Sequence, residues 1–351
     1  MDELRKPLFD LPIIESEELP LSHYIRTSWM LSAEINLKAS EFCEIRRFSA
    51  QEADKLAAQV NKRNVFARHS RENNFYVQRA RELGDRSVIE IILPGDPKDI
   101  TNEAEQIASI LEKIAVLSST IALNKDDLQR RLGISSTLRT DFDFVFSPNF
   151  YYLRSKSRKA PVCKGIIIDN RFCNRFFHCG FNVLVDYARS NTSIATRVFQ
   201  SIDWLFDSRI EPRLHASIVK SSIALESLLI FSESESLANS LSERSAFILS
   251  SDPDKRQQIS KIIKNFYDAR SGVVHGGQKR SKKFTPELLE SIDRLAIMSC
   301  LVIAANSTLW STTEALREWC ENQRWGEPSR DINIPFPDLY LRNAINLSQQ
   351  G

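Results

Sequence analysis

The rhythm of apolar and polar positions changes near residue 194. Before it, short β-branched runs alternate with helical stripes; after it, only helical spacing recurs. Residues 50–63 follow Ser49, with Glu52 three positions on, and this reciprocal capping pattern predicts a helix. SVIEIIL (87–93) is rich in β-branched side chains and stops at Pro94-Gly95, which predicts a strand. Residues 101–123 carry Ile107, Ile110, Leu111, Ile114 and Leu117 at helical spacing. FDFVFSPNFYYL (142–153) predicts one or two strands around Pro148, GIIID (165–169) a short strand, and 170–189 a helix. Residues 1–25, interrupted by Pro7, Pro12 and Pro20, predict an extended, weakly ordered arm. Helices and strands mix without a strand–helix–strand rhythm, so residues 1–193 are expected to form an α+β domain.

Beyond it, helices are predicted over 196–208, 211–231, 237–249 and 254–276. A long helical region runs from a capping Thr285 to about residue 322, with a break near 307–311. Residues 194–325 therefore read as an all-α bundle. The tail 326–351 holds Pro328, Pro335 and Pro337 and is expected to be extended. The chain is mainly α overall.

Composition narrows the classes. The chain has 351 residues, enough for two domains. With 42% hydrophobic and 26% charged residues it is a folding chain, not a disordered one. A net charge of +2 gives no whole-molecule field for nucleic acid, so any such binding needs a local patch. Arginine outnumbers lysine, 30 to 17, and the planar guanidinium suits phosphate. The acidic, proline-broken start is unlike a signal peptide. The longest apolar run, 295–305, is about half of a bilayer span and predicts a buried core helix. The six cysteines are scattered, as expected of free thiols in a reducing cytoplasm; a membrane partner is not expected.

Three charged residues interrupt apolar stripes. Arg244 shares a stripe with Leu237, Leu241 and Ile248. Arg270 lies among Ile259, Ile263, Phe266 and Val273, and Glu226 among Ala224, Leu225, Leu228 and Leu229. A buried charge needs a partner, so the plain reading is a structural ion pair between Glu226 and Arg244. The sharper reading is that these residues orient a reaction site. Four arginines are followed by a histidine five to seven positions later: Arg63/His69, Arg171/His178, Arg209/His215 and Arg270/His275. Only Arg270/His275 combines an arginine on the stripe of a long helix with a histidine at a glycine-marked helix end, before Gly276 and Gly277. The basic run Lys279, Arg280, Lys282 and Lys283 follows, as a solvated loop or as contacts to an RNA backbone.

An arginine and a histidine suffice for one reaction class. Imidazole moves protons near neutral pH, and guanidinium stabilises charge on phosphate oxygens. RNA carries its own nucleophile in the 2′-hydroxyl, so cleavage needs neither metal nor cofactor. Arg270 would hold the scissile phosphate and His275 would serve the 2′-oxygen or the leaving oxygen. The products would be a 2′,3′-cyclic phosphate and a 5′-hydroxyl. Residues five apart on a regular helix point about 140° apart, so a shared cleft requires a distorted helix end or a second chain.

SSIALESLL (221–229), LSERSAFIL (241–249) and KIIKNFYDARSGVVHGG (261–277) together resemble the HEPN superfamily, and most nearly its Apea-like branch. Ala224-Leu225-Glu226, Arg244-Ser245-Ala246 and Tyr267, Arg270, Ser271, His275 and Gly276 fill that branch's three blocks in order. The resemblance implies a HEPN-type bundle and a metal-independent endoribonuclease with Arg270 and His275 catalytic. Ser271, Glu226 and Arg244 would support them. It also implies a homodimer, RNA such as tRNA or mRNA as substrate, and a role in anti-phage defence, abortive infection or as a toxin. An antitoxin or a phage-derived trigger would then be a further partner. The rival class is a HEPN module that only dimerises or binds RNA; a third places the function wholly in the N-terminal domain.

Other patterns are weaker. Cys163, Cys173, His178 and Cys179 lack the spacing of a zinc pair, so no metal site is expected. Arg154, Lys156, Arg158 and Lys159 follow two tyrosines, as a surface loop or as a contact for single-stranded nucleic acid. No Gly-rich phosphate loop is present in the sequence.

Overall fold

The computed structural model describes residues 21–28, 30–63, 70–120, 137–147, 150–160, 165–274, 285–324 and 332–348. The protein is mainly helical, with an antiparallel sheet near its N-terminus. Contacts divide the chain into two compact units, Met1–Glu112 with Ser135–Cys173 and Lys113–Ile134 with Asn174–Gly351.

The first unit is built on strands β1 (Leu21–Thr27), β2 (Leu31–Ala33), β3 (Leu37–Lys38), β4 (Cys43–Arg47), β5 (Ser87–Pro94), β6 (Thr137–Ser147), β7 (Phe150–Ala160) and β8 (Ile166–Ile168). Six of them form one sheet in the order β3-β4-β5-β1-β6-β7, with every neighbouring pair antiparallel; β2 and β8 pair in parallel. Helices α1 (Ala50–Arg63) and α2 (Ser70–Arg81) cover one face. Ala53, Leu56, Ala57, Val60, Ala80 and Leu83 pack there on Ile25, Val88 and Phe144. Helix α3 (Pro97–Ser119) approaches the other face, where Arg26 Nη2 donates to the Ala108 carbonyl and to Glu112.

The cap of α1 forms as its spacing predicts. Ser49 Oγ accepts from the Glu52 N–H at 3.2 Å, and the Glu52 carboxylate accepts from the Ser49 N–H at 2.9 Å. Ser49→Ala is expected to lower stability by about 1 kcal/mol, read as a shifted urea midpoint.

The arm expected over residues 1–25 is corrected for its last part. Leu21–Thr27 is an interior strand between β5 and β1's other neighbour β6; residues 1–20 lie outside the described ones. Its alternation is hidden because both faces are buried and polar residues occupy some of the positions. His23 Nδ1 lies 3.0 Å from Glu90 Oε1, and Arg46 Nε donates to Glu90 Oε2 at 2.7 Å. Arg46 Nη1 also reaches Glu52 at 2.8 Å. Burial raises the Glu90 carboxyl, but the His23 hydrogen bond and the Arg46 charge outweigh it and hold the group below its ordinary value of 4.5. Stability from Glu90 is therefore full above that value and is lost as pH falls through the depressed one. Glu90→Gln is expected to be less stable at pH 7 and to lose less on acidification from 4.5 to 3, followed by urea melts across that range.

Helix α4 (Asn170–His178) and the second unit's α5 (Phe181–Tyr187) replace the single helix expected over 170–189. Gly180 breaks it with φ +74°, and a Cβ there would stand 2.7 Å from the Pro335 ring. The second unit continues with α6 (Ser193–Ile210), α7 (Leu214–Leu229), α8 (Leu237–Leu249), α9 (Pro253–Val274), α10 (Pro286–Ala305), α11 (Thr313–Arg324) and α12 (Asp338–Leu347). The contact boundary at Cys173 precedes the compositional one at 194 because α5 packs on α10. Helix α10 is the axis: it touches α5, α6, α7, α8, α9 and α12, and the run 295–304 is buried throughout. Thr285 caps it, accepting from the Leu288 N–H. Among the described residues no strand follows Ile168, and no helix is long and apolar enough to cross a membrane.

The tail also departs from expectation. It was expected to be extended, yet Asp338–Leu347 is helical and buries Leu341, Ala344 and Ile345. Their i, i+3, i+4 spacing makes one apolar stripe. Pro337 stands at the N-cap, so the prolines stop short of the helix instead of preventing it.

Candidate active site

Helices α7 and α9 pack together and bring two of the three sequence blocks into contact. Glu226 lies one turn before the end of α7, and Arg270 lies one turn before the end of α9. Arg270 Nη2 stands 3.6 Å from Glu226 Oε1, with side chains 24% and 23% exposed. That separation is an ion contact, longer than a hydrogen bond. Arg270 Nε donates to Ser222 Oγ at 3.4 Å, and Ser222 Oγ in turn donates to the Val219 carbonyl at 2.8 Å. The guanidinium is therefore steadied by Ser222 and Glu226 and remains partly exposed.

Tyr267 completes the cluster from one turn earlier on α9. Its hydroxyl donates to Glu226 Oε1 at 3.0 Å and lies 3.2 Å from the Ser222 carbonyl. Burial and the Glu226 carboxylate push the phenol far above its ordinary value, with Arg270 offsetting part of the rise. Tyr267 thus remains neutral and acts as a fixed donor to the carboxylate that faces Arg270. Tyr267 stands in the third block of the resemblance with no role assigned to it, and Ser222 is not singled out from sequence. Their signal was spacing: Tyr267 precedes Arg270 by three positions and Ser222 precedes Glu226 by four, so each pair shares a helix face.

Arg244 is not part of this cluster, and the Glu226–Arg244 pair expected from the stripes does not form. Arg244 forks onto Glu235, with Nη1 at 2.5 Å from Oε2 and Nη2 at 3.1 Å from Oε1. Nη1 also donates to the Leu229 carbonyl at 2.6 Å, and the guanidinium lies 4.4 Å from the Phe231 ring centre. Arg197 Nη1 donates to the Ser227 and Ile230 carbonyls, each at 2.8 Å. Helix α7 ends without a glycine cap, and these two arginines satisfy its last carbonyls. Arg244 consequently fixes the helix end that carries Glu226.

Ser271 follows Arg270 on α9 and is half-buried. His275, Lys279, Arg280, Lys282 and Lys283 lie outside the described residues. Among the described residues no three of His, Cys, Asp and Glu converge as a metal site; Cys163 is outside them. Burial pushes the Cys173 and Cys179 thiols up from their ordinary value.

A second charged cluster was missed from sequence. Arg209 of α6 is fully buried and meets Glu290 and Asp293 of α10. Its signal was present: Ile202, Leu205, Phe206 and Arg209 share one stripe at helical spacing. No family model, curated protein or solved structure matches the chain.

Proposed function

We propose that the protein is a metal-independent endoribonuclease of HEPN type, acting in the cytoplasm as a homodimer. The observation that supports this reading is the meeting of Glu226, Tyr267 and Arg270 between α7 and α9. It joins two sequence blocks that the resemblance singled out separately, and it leaves an oriented guanidinium partly exposed. Arg270 holds the non-bridging oxygens of the scissile phosphate. The ribose 2′-oxygen attacks phosphorus, and the bond from phosphorus to the 5′-oxygen breaks. His275 takes the proton from the 2′-hydroxyl or delivers one to the departing 5′-oxygen. The chemistry balances without a co-reactant. The basic run Lys279, Arg280, Lys282 and Lys283 follows His275 directly and contacts the flanking phosphates. Control by an antitoxin or a phage-derived trigger fits such an enzyme, which damages its host when unrestrained.

The test incubates the full chain with tRNA and mRNA in excess EDTA and sequences the RNA ends. Cleavage leaving 2′,3′-cyclic phosphate and 5′-hydroxyl ends, lost in Arg270→Ala and His275→Ala, is the expected result. Activity that needs magnesium, or that survives both substitutions, overturns the reading. The rival reading, a module that only dimerises or binds RNA, draws on the same Glu226 contact, since a carboxylate already neutralises Arg270. It requires RNA to bind and emerge uncut.

A further inference from the structure

The two carboxylate oxygens of Glu226 stand in different situations. Oε1 accepts from the Tyr267 hydroxyl at 3.0 Å and lies 3.6 Å from Arg270 Nη2. Oε2 accepts no hydrogen bond from any described residue. On the other elements packed against α7 the charged groups are engaged elsewhere. Arg197 of α6 donates to the Ser227 and Ile230 carbonyls, and Arg244 of α8 holds Glu235 and the Leu229 carbonyl. Glu290 and Asp293 of α10 take Arg209, and Asp293 also takes Ser221. Tyr267 and Arg270 of α9 are therefore the titratable and charged groups that face Glu226 among the described residues.

A structural ion pair in this bundle has another form. Arg244 and Glu235 make two contacts, at 2.5 Å and 3.1 Å, and are more deeply buried than Arg270 and Glu226. Arg270 and Glu226 make one contact, and Tyr267, a buried neutral donor, holds the carboxylate that the guanidinium does not close upon. Beside an arginine that binds phosphate, a carboxylate opposes the ligand, since like charges repel at short range. Proton transfer gives it a use. A guanidinium donates to a phosphate oxygen at about 2.8 Å, and an attacking oxygen stands about 3–3.5 Å from the atom it attacks. The 2′-hydroxyl next to a phosphate on Arg270 can therefore reach a carboxylate that lies 3.6 Å from the same guanidinium.

We propose that Glu226 is the general base of the cleavage, taking the 2′-hydroxyl proton on Oε2 while Tyr267 holds Oε1 and Arg270 holds the phosphate. This rests on the nuclease reading and assigns a proton transfer that the reading leaves open. The bond from the 2′-oxygen to its hydrogen breaks, the proton passes to Oε2, and the electron pair forms the new bond to phosphorus. The bond from phosphorus to the 5′-oxygen breaks, and its electron pair leaves on that oxygen. His275 then serves the departing oxygen, and Glu226 returns its proton to water. No co-reactant is consumed.

The test measures single-turnover cleavage by the full chain, in excess EDTA and at saturating RNA, of two RNAs that differ at the scissile bond. One has the natural 5′-oxygen and the other has sulfur in its place. A thiolate departs without being protonated, so the sulfur substrate needs a base and no acid. Glu226→Gln keeps an acceptor for Tyr267 and should melt like the parent, yet cut both RNAs about 100-fold more slowly or worse. On the sulfur substrate the parental rate should level off once the base is ionised, whereas Glu226→Gln should keep rising with hydroxide. If melts show Glu226→Gln unfolded, Glu226→Asp carries the test. It sets the carboxylate back by one carbon, and it should cut more slowly than the parent while levelling off as the parent does. Rescue of Glu226→Gln by the sulfur substrate assigns Glu226 to the leaving oxygen and overturns the proposal. A parental rate in the folded variant, or a change in RNA affinity alone, also overturns it and makes Glu226 a counter-ion of Arg270. The nuclease reading survives each of those results. Failure of the parent protein to cut either RNA overturns the nuclease reading, and this assignment falls with it.

Discussion

Arg270→Ala is expected to slow RNA cleavage by roughly 100- to 1,000-fold, the usual loss when one donor to developing anionic charge is removed. The fold should hardly notice. The ion contact it deletes spans 3.6 Å between side chains 24% and 23% exposed, and pairs of that kind contribute at most about 1 kcal/mol. The weak Ser222 contact adds little at 3.4 Å. Large loss of rate with small loss of stability separates a phosphate-binding arginine from half of a structural pair. Arg270→Lys keeps the charge and forfeits the fork, and should recover only part of the rate. Tyr267→Phe leaves Glu226 without its 3.0 Å donor. It should lower the rate by less than Arg270→Ala does, because it acts through the carboxylate and not on the phosphate. Single-turnover rates in excess EDTA, with thermal melts alongside, check all three. A variant of Arg270 that cuts at the parental rate removes the residue from the chemistry.

The elements legible from sequence were those whose signal is local. Ser49 with Glu52, and Thr285 ahead of an apolar helix, announce helix starts through side-chain-to-backbone bonds that close within three residues. The strands missed or blurred owe their place to distant partners. β1 reads as LSHYIRT, and what makes it an interior strand is its pairing with β5 and β6, where Glu90, 67 positions away, meets the buried His23. The single helix expected over 170–189 breaks at Gly180, whose positive φ places it against Pro335, far along the chain. The candidate site divides in the same way. Stripe positions identified Glu226, Arg244 and Arg270 as charges facing inward, since amphipathic periodicity records direction. They left the pairing open, because a stripe says nothing about which neighbour's residue lies opposite. Arg244 found Glu235 in the loop before its own helix, and Glu226 found Arg270.

Arg209→Met is expected to destabilise the protein by about 3–5 kcal/mol, the cost of breaking a buried ion cluster by removing one partner. Arg209 Nη1 lies 2.8 Å from Glu290 and 3.3 Å from Asp293, and Nη2 lies 3.1 Å from Glu290. Burial works against the charged guanidinium, and the two carboxylates more than reverse it. The cluster extends to a third helix: Ser221 Oγ of α7 donates to Asp293 Oδ1 at 2.5 Å and lies 2.7 Å from Ser208 Oγ of α6. Methionine fills much of the space but leaves two carboxylates beside the bundle axis without this counter-charge. The deficit is read as a lowered urea midpoint. Replacing Glu290 and Asp293 as well, by Gln and Asn, should restore much of the stability, because no net charge is then left buried. If Arg209→Met costs as much in the Glu290→Gln/Asp293→Asn background as in the parent, the loss is one of packing, with the charges already compensated elsewhere.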